Sequence, residues 1–484
     1  MPIAPALSWR EFARLCRPDT RIPVTASWPS DTETPVAAFL KLAQRAPRAF
    51  LFESVEGPEH AGRWTFLGVG PRRVIRWKLG QPGHPLDAIR DYLQRPATPV
   101  EGLPPFAGGL VGHVSYDAVR AFEPRVPCRH DDELHFPDAL WMEFPTTLAF
   151  DAVRRTVHAT HLVDVTTGAS PRALYADAVR RLRGLHRALA RPLPRPPARA
   201  RTKARVVLEP RLTKAQFVAA VRRAKEAVRA GDCQQIVLSQ RFDAQSTLDP
   251  FSLYRVLRRV NPSPYLFFVR DGDRSLAGSS PETLVKLRDR RITLRPIAGT
   301  RPRGATSVAD ERLEAELRAD VKENAEHVML VDLGRNDVGR VSTTGSVRVT
   351  ELKVVERYSH VMHLVSQVEG QLKRGLGAAD VLTATFPAGT VSGSPKVRAM
   401  ELIDELEPAR RGPYAGAVGY VDAFGNMDLA IAIRTLMQSG QRLSVQAGAG
   451  IVYDSDPAAE YQESVNKAQA LFRALAVAQS GGNR

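Results

Sequence analysis

Two Glu-x-x-Glu pairs, Glu323 with Glu326 and Glu460 with Glu463, are the residues of this chain best placed to do chemistry. Each pair falls in a segment whose pattern predicts a helix, and residues three apart on a helix share a face. Two carboxylates side by side repel by about a few tenths of a kcal/mol on an isolated helix. A divalent cation between the two helices would more than offset that repulsion. Carboxylate oxygens with no Cys or His set suit Mg2+ better than Zn2+. On spacing alone, two solvated acidic helix faces is the better account. The surrounding residues change that.

His327 follows Glu326 directly, and His363 lies in YSHVMHLVSQVEG, an alternating segment that predicts a strand. Arg434 interrupts the apolar run DLAIAIRTL. A buried guanidinium is expensive unless paired, so it holds an anion or a carboxylate. Gly448-Ala449-Gly450 precedes the Glu460 segment. Glycines let backbone N–H groups approach an anion closely. Lys467, seven residues after Glu460 and four after Glu463, shares their helix face, where it could also form a plain i,i+4 pair. Four carboxylates, two cations and free amides together suit a small polyanionic substrate bridged by Mg2+.

The elements that must position these groups form an antiparallel-rich α+β pattern. PVAAFLKLAQ predicts a helix, AFLFESV and GRWTFLGVG predict strands, and TTLAFDAVRRTVHATHLV predicts a hairpin. FAGGLVGHVSYD lacks dinucleotide-site spacing and reads as close strand packing. TKAQFVAAVRRAKEAVRAGD is an amphipathic helix capped by Thr213 and ended by Gly231-Asp232. Strands follow through RITLRPIAG, then one long helix beginning at VADERL and leading into a turn at LGRNDVGRV. Further helices are predicted over 378–386, 395–407 and 457–479, with late strands YAGAVGYVDA, MDLAIAIRTLMQS and RLSVQAGAGIVYD.

A chain of 484 residues can bury a large core. It has no run of 18 or more apolar residues and no secretory leader pattern, and its three scattered cysteines form neither a zinc spacing nor a disulfide framework. A reducing cytoplasm fits. The net charge of +16 is concentrated: ten Lys/Arg and no acid lie between Arg180 and Arg205. That stretch ends Pro-rich and without aromatic interleaving, which predicts a solvated linker over 191–206 and neither a nucleic-acid arm nor a membrane segment.

The ordered series SPETLVKL, RPIAGTRPRG, KENAEHVMLVDLGRNDVGRV, YSHVMHLVSQVEG, FPAGTVSGSPKVRAMELI, GPYAGAVGY, AIAIRT and QAGAGIVYDSDPAAEYQESVNKAQAL resembles the chorismate-utilising enzymes, and among them the anthranilate synthase component I family. The resemblance covers nearly the whole chain. It implies an anthranilate-synthase-like α+β fold, a β sandwich with helices outside. It also implies an N-terminal domain over 1–190 carrying a feedback site and a chorismate-binding catalytic domain over 207–480. Glu326 and Glu463 match its Mg2+ ligands, with Glu323 and Glu460 beside them. Tyr414, Arg434, Gly448, Ala449, Gly450 and Lys467 match groups that hold the carboxylates of chorismate. Gly299 and Thr300 match the ring pocket, Glu282 the acid that helps the C4 hydroxyl leave, and His363 a histidine tied to the complete reaction.

The branch within that family is also implied. Water-adding relatives carry a lysine base where this chain has Gln235, and a Gln cannot deprotonate water, which favours ammonia. Para-directed relatives usually carry a lysine in PIKGT, where this chain has Ala298. The expected activity is therefore amination of chorismate at C2, loss of the C4 hydroxyl and elimination of pyruvate to give anthranilate. An aminodeoxychorismate synthase component I, or an enzyme stopping at the aminated intermediate, stays as the alternative. Ser394 stands where Ala is usual. Glu53 and Ser54, with Pro264, Tyr265 and Leu266 as a second wall, match a tryptophan feedback site, and Phe52 stands where Leu is usual. No glutaminase nucleophile elbow is present. Ammonia is thus expected free or from a separate glutamine amidotransferase subunit, in a heterotetramer of two large and two small subunits.

Overall fold

The computed structural model describes residues 4–54, 62–194, 206–358 and 361–480. The basic stretch expected at 191–206 falls, from 195 to 205, outside them. The strands form two large sheets, one of twelve and one of ten, and every strand pairing within them is antiparallel. The predicted sandwich is observed. Phe50, Phe66 and Phe267 of the first sheet meet Val111, Trp141, Phe144 and Tyr420 of the second in the largest apolar cluster. Helices cover the outer faces: Pro250–Val260 and Pro457–Gln479 pack on the first sheet, and Val321–Val341 on the second. No helix among the described residues is long and apolar enough to cross a membrane.

Strands from both sides of the linker enter both sheets. In the first, Arg48–Glu53 pairs with Tyr265–Asp271; in the second, Gly109–Val114 pairs with Ala417–Asp422. The chain changes sheet several times, and two of these passages matter here: from the first sheet to the second between Arg274–Ser280 and Thr283–Arg288, and from the second to the first between Met427–Ile431 and Thr435–Ser439. The two passages lie side by side. Gly278 is opposite Thr435 in one sheet and Thr283 opposite Ala430 in the other.

Three expectations are corrected. MDLAIAIRTLMQS is two strands in different sheets, because alternation cannot register which sheet a residue enters. The long helix is two, Ser307–Ala319 and Val321–Val341, broken where Asp320 turns extended and caps the second through the Glu323 N–H at 3.0 Å. LGRNDVGRV is not a turn but the last turns of that second helix, its glycines tolerated there. A strand at Arg348–Arg357 escaped the reading, since its bulges and mostly exposed face erase the alternation.

The close packing read into FAGGLVGHVSYD is confirmed at Gly112, where a β-carbon would stand 1.7 Å from the Leu140 carbonyl oxygen. Gly112→Ala is accordingly expected to destabilise by about 3 kcal/mol. Gly339→Ala, in open space on a helix, should instead stabilise by about 1 kcal/mol or less. Urea unfolding midpoints check both.

Candidate active site

The two passages between the sheets carry the two most unusual side chains. Glu282 stands in the outgoing passage and Arg434 in the return, and the backbones bond reciprocally: Ile431 N–H to the Glu282 carbonyl and Ser279 N–H to the Arg434 carbonyl, both 3.1 Å. Glu282 is buried, and its carboxylate accepts one hydrogen bond, from Thr390 Oγ1 at 2.8 Å. Burial pushes its pKa up to about 8, against the opposing pull of Thr390 and Lys467. Arg434 sits at φ +50°, a conformation that strains any residue with a β-carbon. Among the described residues its guanidinium has no hydrogen bond or ion pair; burial lowers its pKa, with Tyr414 and Glu463 nearby. Of the two readings, an ion pair within the protein is not formed among the described residues, which leaves an anion or carboxylate from outside.

The return passage also opens an edge. Strand Arg442–Ile451 is paired on one side with Gln235–Gln245, while on the other its partner Thr435–Ser439 reaches only as far as Val445. Val237 N–H bonds Ser392 O and Ser239 N–H bonds Glu407 Oε1, so both residues point away from Arg442–Ile451. Val237 is opposite Gly450 and Ser239 opposite Gly448. These are therefore non-hydrogen-bonded pairs, and the Gly448 and Gly450 N–H groups face the vacated edge. Ala449 alternates with them and faces its partner strand. Gln235 lies over Gly450, where a β-carbon would meet its Nε2 at 2.5 Å. That same Nε2 donates to Glu326 Oε1 at 3.0 Å.

On the second sheet, Ile297–Pro302 pairs with Val361–Gln371 so that Thr300 is opposite His363, past a bulge at Gly299, whose φ is +72°. Thr300 Oγ1 is 2.9 Å from His363 Nδ1, and the Gly299 carbonyl is 3.3 Å from it. A carbonyl can only accept, which assigns the proton to Nδ1 and leaves Nε2 with its lone pair. Burial and Arg434 lower the His363 pKa, favouring the neutral ring. Tyr414 is buried, its hydroxyl pKa pushed to about 12 by burial.

The four glutamates separate by environment. Glu323 is engaged by Arg301, at 3.1 Å, on the rim of the site. Glu463 is exposed and pairs with Lys467 at 2.6 Å, the plain i,i+4 contact. Glu326 is half-buried and Glu460 buried with Oε2 unpartnered. Burial raises both pKa values, and neighbouring carboxylates add to the rise: Glu323 and Glu463 for Glu326, and Glu463 for Glu460. Lys467 acts on Glu326, Glu460 and Glu282 alike, which places it among them. Desolvated carboxylates that repel each other, one with a bare oxygen, fit a divalent cation. Among the described residues no three His, Cys, Asp or Glu form a ready cage, so a cation here needs further oxygens from water or a ligand, as Mg2+ does. His327 does not join them; it is buried beneath the helix with Nε2 on Ser366 Oγ at 2.6 Å.

A second cavity of about 440 Å³ lies between the sheets and is lined by all five residues expected at a feedback site, Glu53, Ser54, Pro264, Tyr265 and Leu266, and by Phe52. Its Glu53 is already held by the Tyr254 hydroxyl and by Arg258, at 2.8 Å. Asp428, which the sequence reading missed, is a further carboxylate of this cavity, 3.0 Å from the Tyr265 hydroxyl and 3.3 Å from Lys286. Thr390 was also missed, though it lies within the AGTVSG run; nothing in the sequence links it to Glu282.

An antiparallel sandwich whose sheet-to-sheet passages bear a protonated acid and an unpaired arginine, facing clustered glutamates, defines a site for a small multiply charged anion. A profile of the family described as chorismate binding enzyme matches residues 46–473, and the chain belongs to that family. It is 46% identical to anthranilate synthase component 1 of Pseudomonas putida over 97% of this chain and 98% of that one. Its fold matches the crystal structure of anthranilate synthase component I from Streptococcus pneumoniae TIGR4, with TM-score 0.75 and 38% identity over 92% of this chain and 98% of that one. The menaquinone-specific isochorismate synthase of Escherichia coli shares the fold alone, with TM-score 0.72 at 20% identity over 96% of this chain and 98% of that one.

The two glycines test the open edge differently. At Gly450 an added β-carbon meets only the movable Gln235 amide; at Gly448 it stands 2.5 Å from the Leu238 carbonyl oxygen. Gly450→Ala is expected to keep its melting temperature and weaken chorismate binding at least about tenfold. Gly448→Ala should lose both, as calorimetry of unfolding and of binding will show.

Proposed function

We propose that this chain is the large, synthase subunit of an anthranilate synthase, converting chorismate and ammonia to anthranilate and pyruvate with Mg2+. The observation that carries the chemistry is Glu282: a carboxyl whose pKa burial pushes up to about 8, in the passage alongside the one that carries the unpaired Arg434. The near-full-length similarity to component 1 proteins supports the ortho product. So does the residue inventory, with Gln235 engaged by Glu326 where hydrolytic relatives need a base, and Ala298, which offers no nucleophile.

Arg434, Lys467, Tyr414 and the Gly448 and Gly450 amides bind and orient the carboxylates of chorismate. Glu326 and Glu463 would hold the metal, with Glu460 and Glu323 beside them. Bound there, Mg2+ supplies charge neutralisation and Lewis-acid polarisation at the ring carboxylate. Ammonia forms the bond to C2, the C4–O bond breaks with its electron pair, and Glu282 delivers the proton that lets the hydroxyl leave as water. The ammonium so formed gives up a proton. Aromatisation then removes the C2 proton, the electron pair of that bond drives the enolpyruvyl oxygen off C3, and the enolpyruvate takes a proton on its methylene carbon to leave as pyruvate. The lone pair on His363 Nε2 is the base the geometry offers, with Gly299 and Thr300 fixing the ring.

Ammonia comes free or from a separate glutamine amidotransferase subunit, the partner that component 1 naming among relatives supports, in a heterotetramer. Tryptophan is the proposed inhibitor at the inter-sheet cavity. Pro281 and Thr283 wall that cavity on either side of Glu282, so a ligand there acts on the acid's own backbone.

The purified chain, given chorismate, Mg2+ and an ammonium salt without any partner, is expected to yield anthranilate, and EDTA should abolish it. Isochorismate, salicylate or an aminated non-aromatic product would overturn the reading. Glu282 must be protonated to act, so kcat/KM at constant free ammonia should hold below about pH 8 and decline as pH rises through it. Glu282→Gln should remove that limb and lower kcat by about 10²–10⁴-fold.

A further inference from the structure

Arg411 is a charged side chain with almost no access to water, 2% exposed, set in a polar cage outside the site described above. Its Nε donates to Glu407 Oε2 at 2.8 Å, Nη1 to the Val391 carbonyl at 2.7 Å, and Nη2 to the Val237 carbonyl at 2.7 Å and to Glu407 Oε1. The Tyr116 and Tyr414 rings lie 4.5 and 5.7 Å away. Glu407 in turn accepts from the Ser239 N–H at 2.7 Å and Oγ at 2.8 Å. Buried ion pairs seldom add net stability over apolar residues of the same volume, so stability alone does not explain this one.

Its bonds show what it does locally. On its outer edge Gln235–Gln245 is paired, among the described residues, by two two-residue strands, Gly393–Ser394 at Gln235 and Ile236 and Glu209–Pro210 at Phe242 and Asp243, with a gap between them. In that gap the Val237 N–H is taken by the Ser392 carbonyl, but the Val237 carbonyl and the Ser239 N–H would be bare. Arg411 takes the Val237 carbonyl and Glu407 takes the Ser239 N–H, so the ion pair stands in for the missing strand. Val237 and Ser239 are the residues opposite Gly450 and Gly448. The same guanidinium, through Val391 O, grips the 3-10 turn Gly389–Val391, where Thr390 meets Glu282. The planar fork makes four bonds from three nitrogens, to two carbonyls and both carboxylate oxygens; an ammonium, with three donors on one atom, cannot.

We propose that Arg411 is a positioning residue for this active site, locking the Thr390 turn to the Gln235 strand and so setting both the Thr390–Glu282 hydrogen bond and the register of the Gly448 and Gly450 amides. Its catalytic consequence rests on the reading of Glu282 as the proton donor. The charged groups facing Glu282 are Lys467, and Arg295 and Asp337 around the small cavity it lines, Asp337 being held by Lys396 at 2.7 Å. None touches Arg411, so a change in Glu282 on altering Arg411 reports on the Thr390 turn.

The test follows the Glu282 carboxyl stretch by infrared difference spectroscopy in the ligand-free protein, assigned with Glu282→Gln, and the basic limb of kcat/KM beside it. Thr390→Val removes the hydrogen bond that lowers the Glu282 pKa, so its titration should move upward. Arg411→Lys is expected to move it the same way, the double variant no further, with kcat down about 100-fold from misplacement. Should Arg411→Lys not fold, the uncharged pair Glu407→Gln with Arg411→Met takes its place. An infrared titration unmoved by the Arg411 change, or a double variant whose shifts add, overturns the proposal. If the infrared titrations move together while the kcat/KM limb stays, Arg411 positions Thr390 but Glu282 is not the acid, and the reading of the reaction fails separately.

Discussion

Everything at this site depends on the chain crossing twice, side by side, between two packed sheets. A strand that leaves one sheet for another must pass through the apolar layer between them, where water is scarce. Glu282 and Arg434 occupy those passages. The low polarity there keeps a carboxyl protonated and makes an unpaired guanidinium hungry for an anion. The same departure of Thr435–Ser439 leaves the Gly448 and Gly450 amides without a partner. Acid, cation and anion-binding amides are thus three results of one topological event, not three separately placed groups.

Pairing then sorts the charges. Glu323 with Arg301, Glu463 with Lys467, and Glu407 with Arg411 are locally balanced. Arg434 and the Glu460 Oε2 are not, and Glu282 has only a hydroxyl. Leaving a buried polar group unmet costs about 1–3 kcal/mol, more for a charge. A structure bears that where a ligand relieves it. Within the site, the unmet groups are the Arg434 guanidinium, which asks for a negative charge, and the Glu460 Oε2, which asks for a positive one.

Much of this was legible in the residues. The glutamate pairs, Arg434 in its apolar run, and Gly448 and Gly450 before a helix each announced themselves by type and spacing. The antiparallel-rich α+β core followed from consecutive hairpins with helices in blocks, and the sandwich from the family resemblance. Glu282 did not announce itself: Ser-Pro-Glu reads as a turn, and only the family resemblance gave the residue a role. The sheet switch within MDLAIAIRTLMQS was invisible, because an apolar residue looks the same whichever sheet it enters. Arg411 was invisible for a related reason. Its partners are backbone carbonyls far along the chain, and carbonyls carry no sequence signature. The signal available was faint, a Glu four residues before an Arg at the end of a helix.

The mingling of early and late strands in both sheets has a consequence for how the molecule comes into being. Arg48–Glu53 is an interior strand whose neighbour Tyr265–Asp271 is made about 210 residues later. At synthesis rates of about 5–20 residues per second, its edge waits roughly ten to forty seconds for a partner. Throughout that wait a row of unsatisfied amides and carbonyls, flanked by Phe50 and Phe52, is open to any other nascent chain. The long-range pairing that brings the passages together therefore also makes this a slow-folding protein, exposed to misassembly until its last strands emerge from the ribosome.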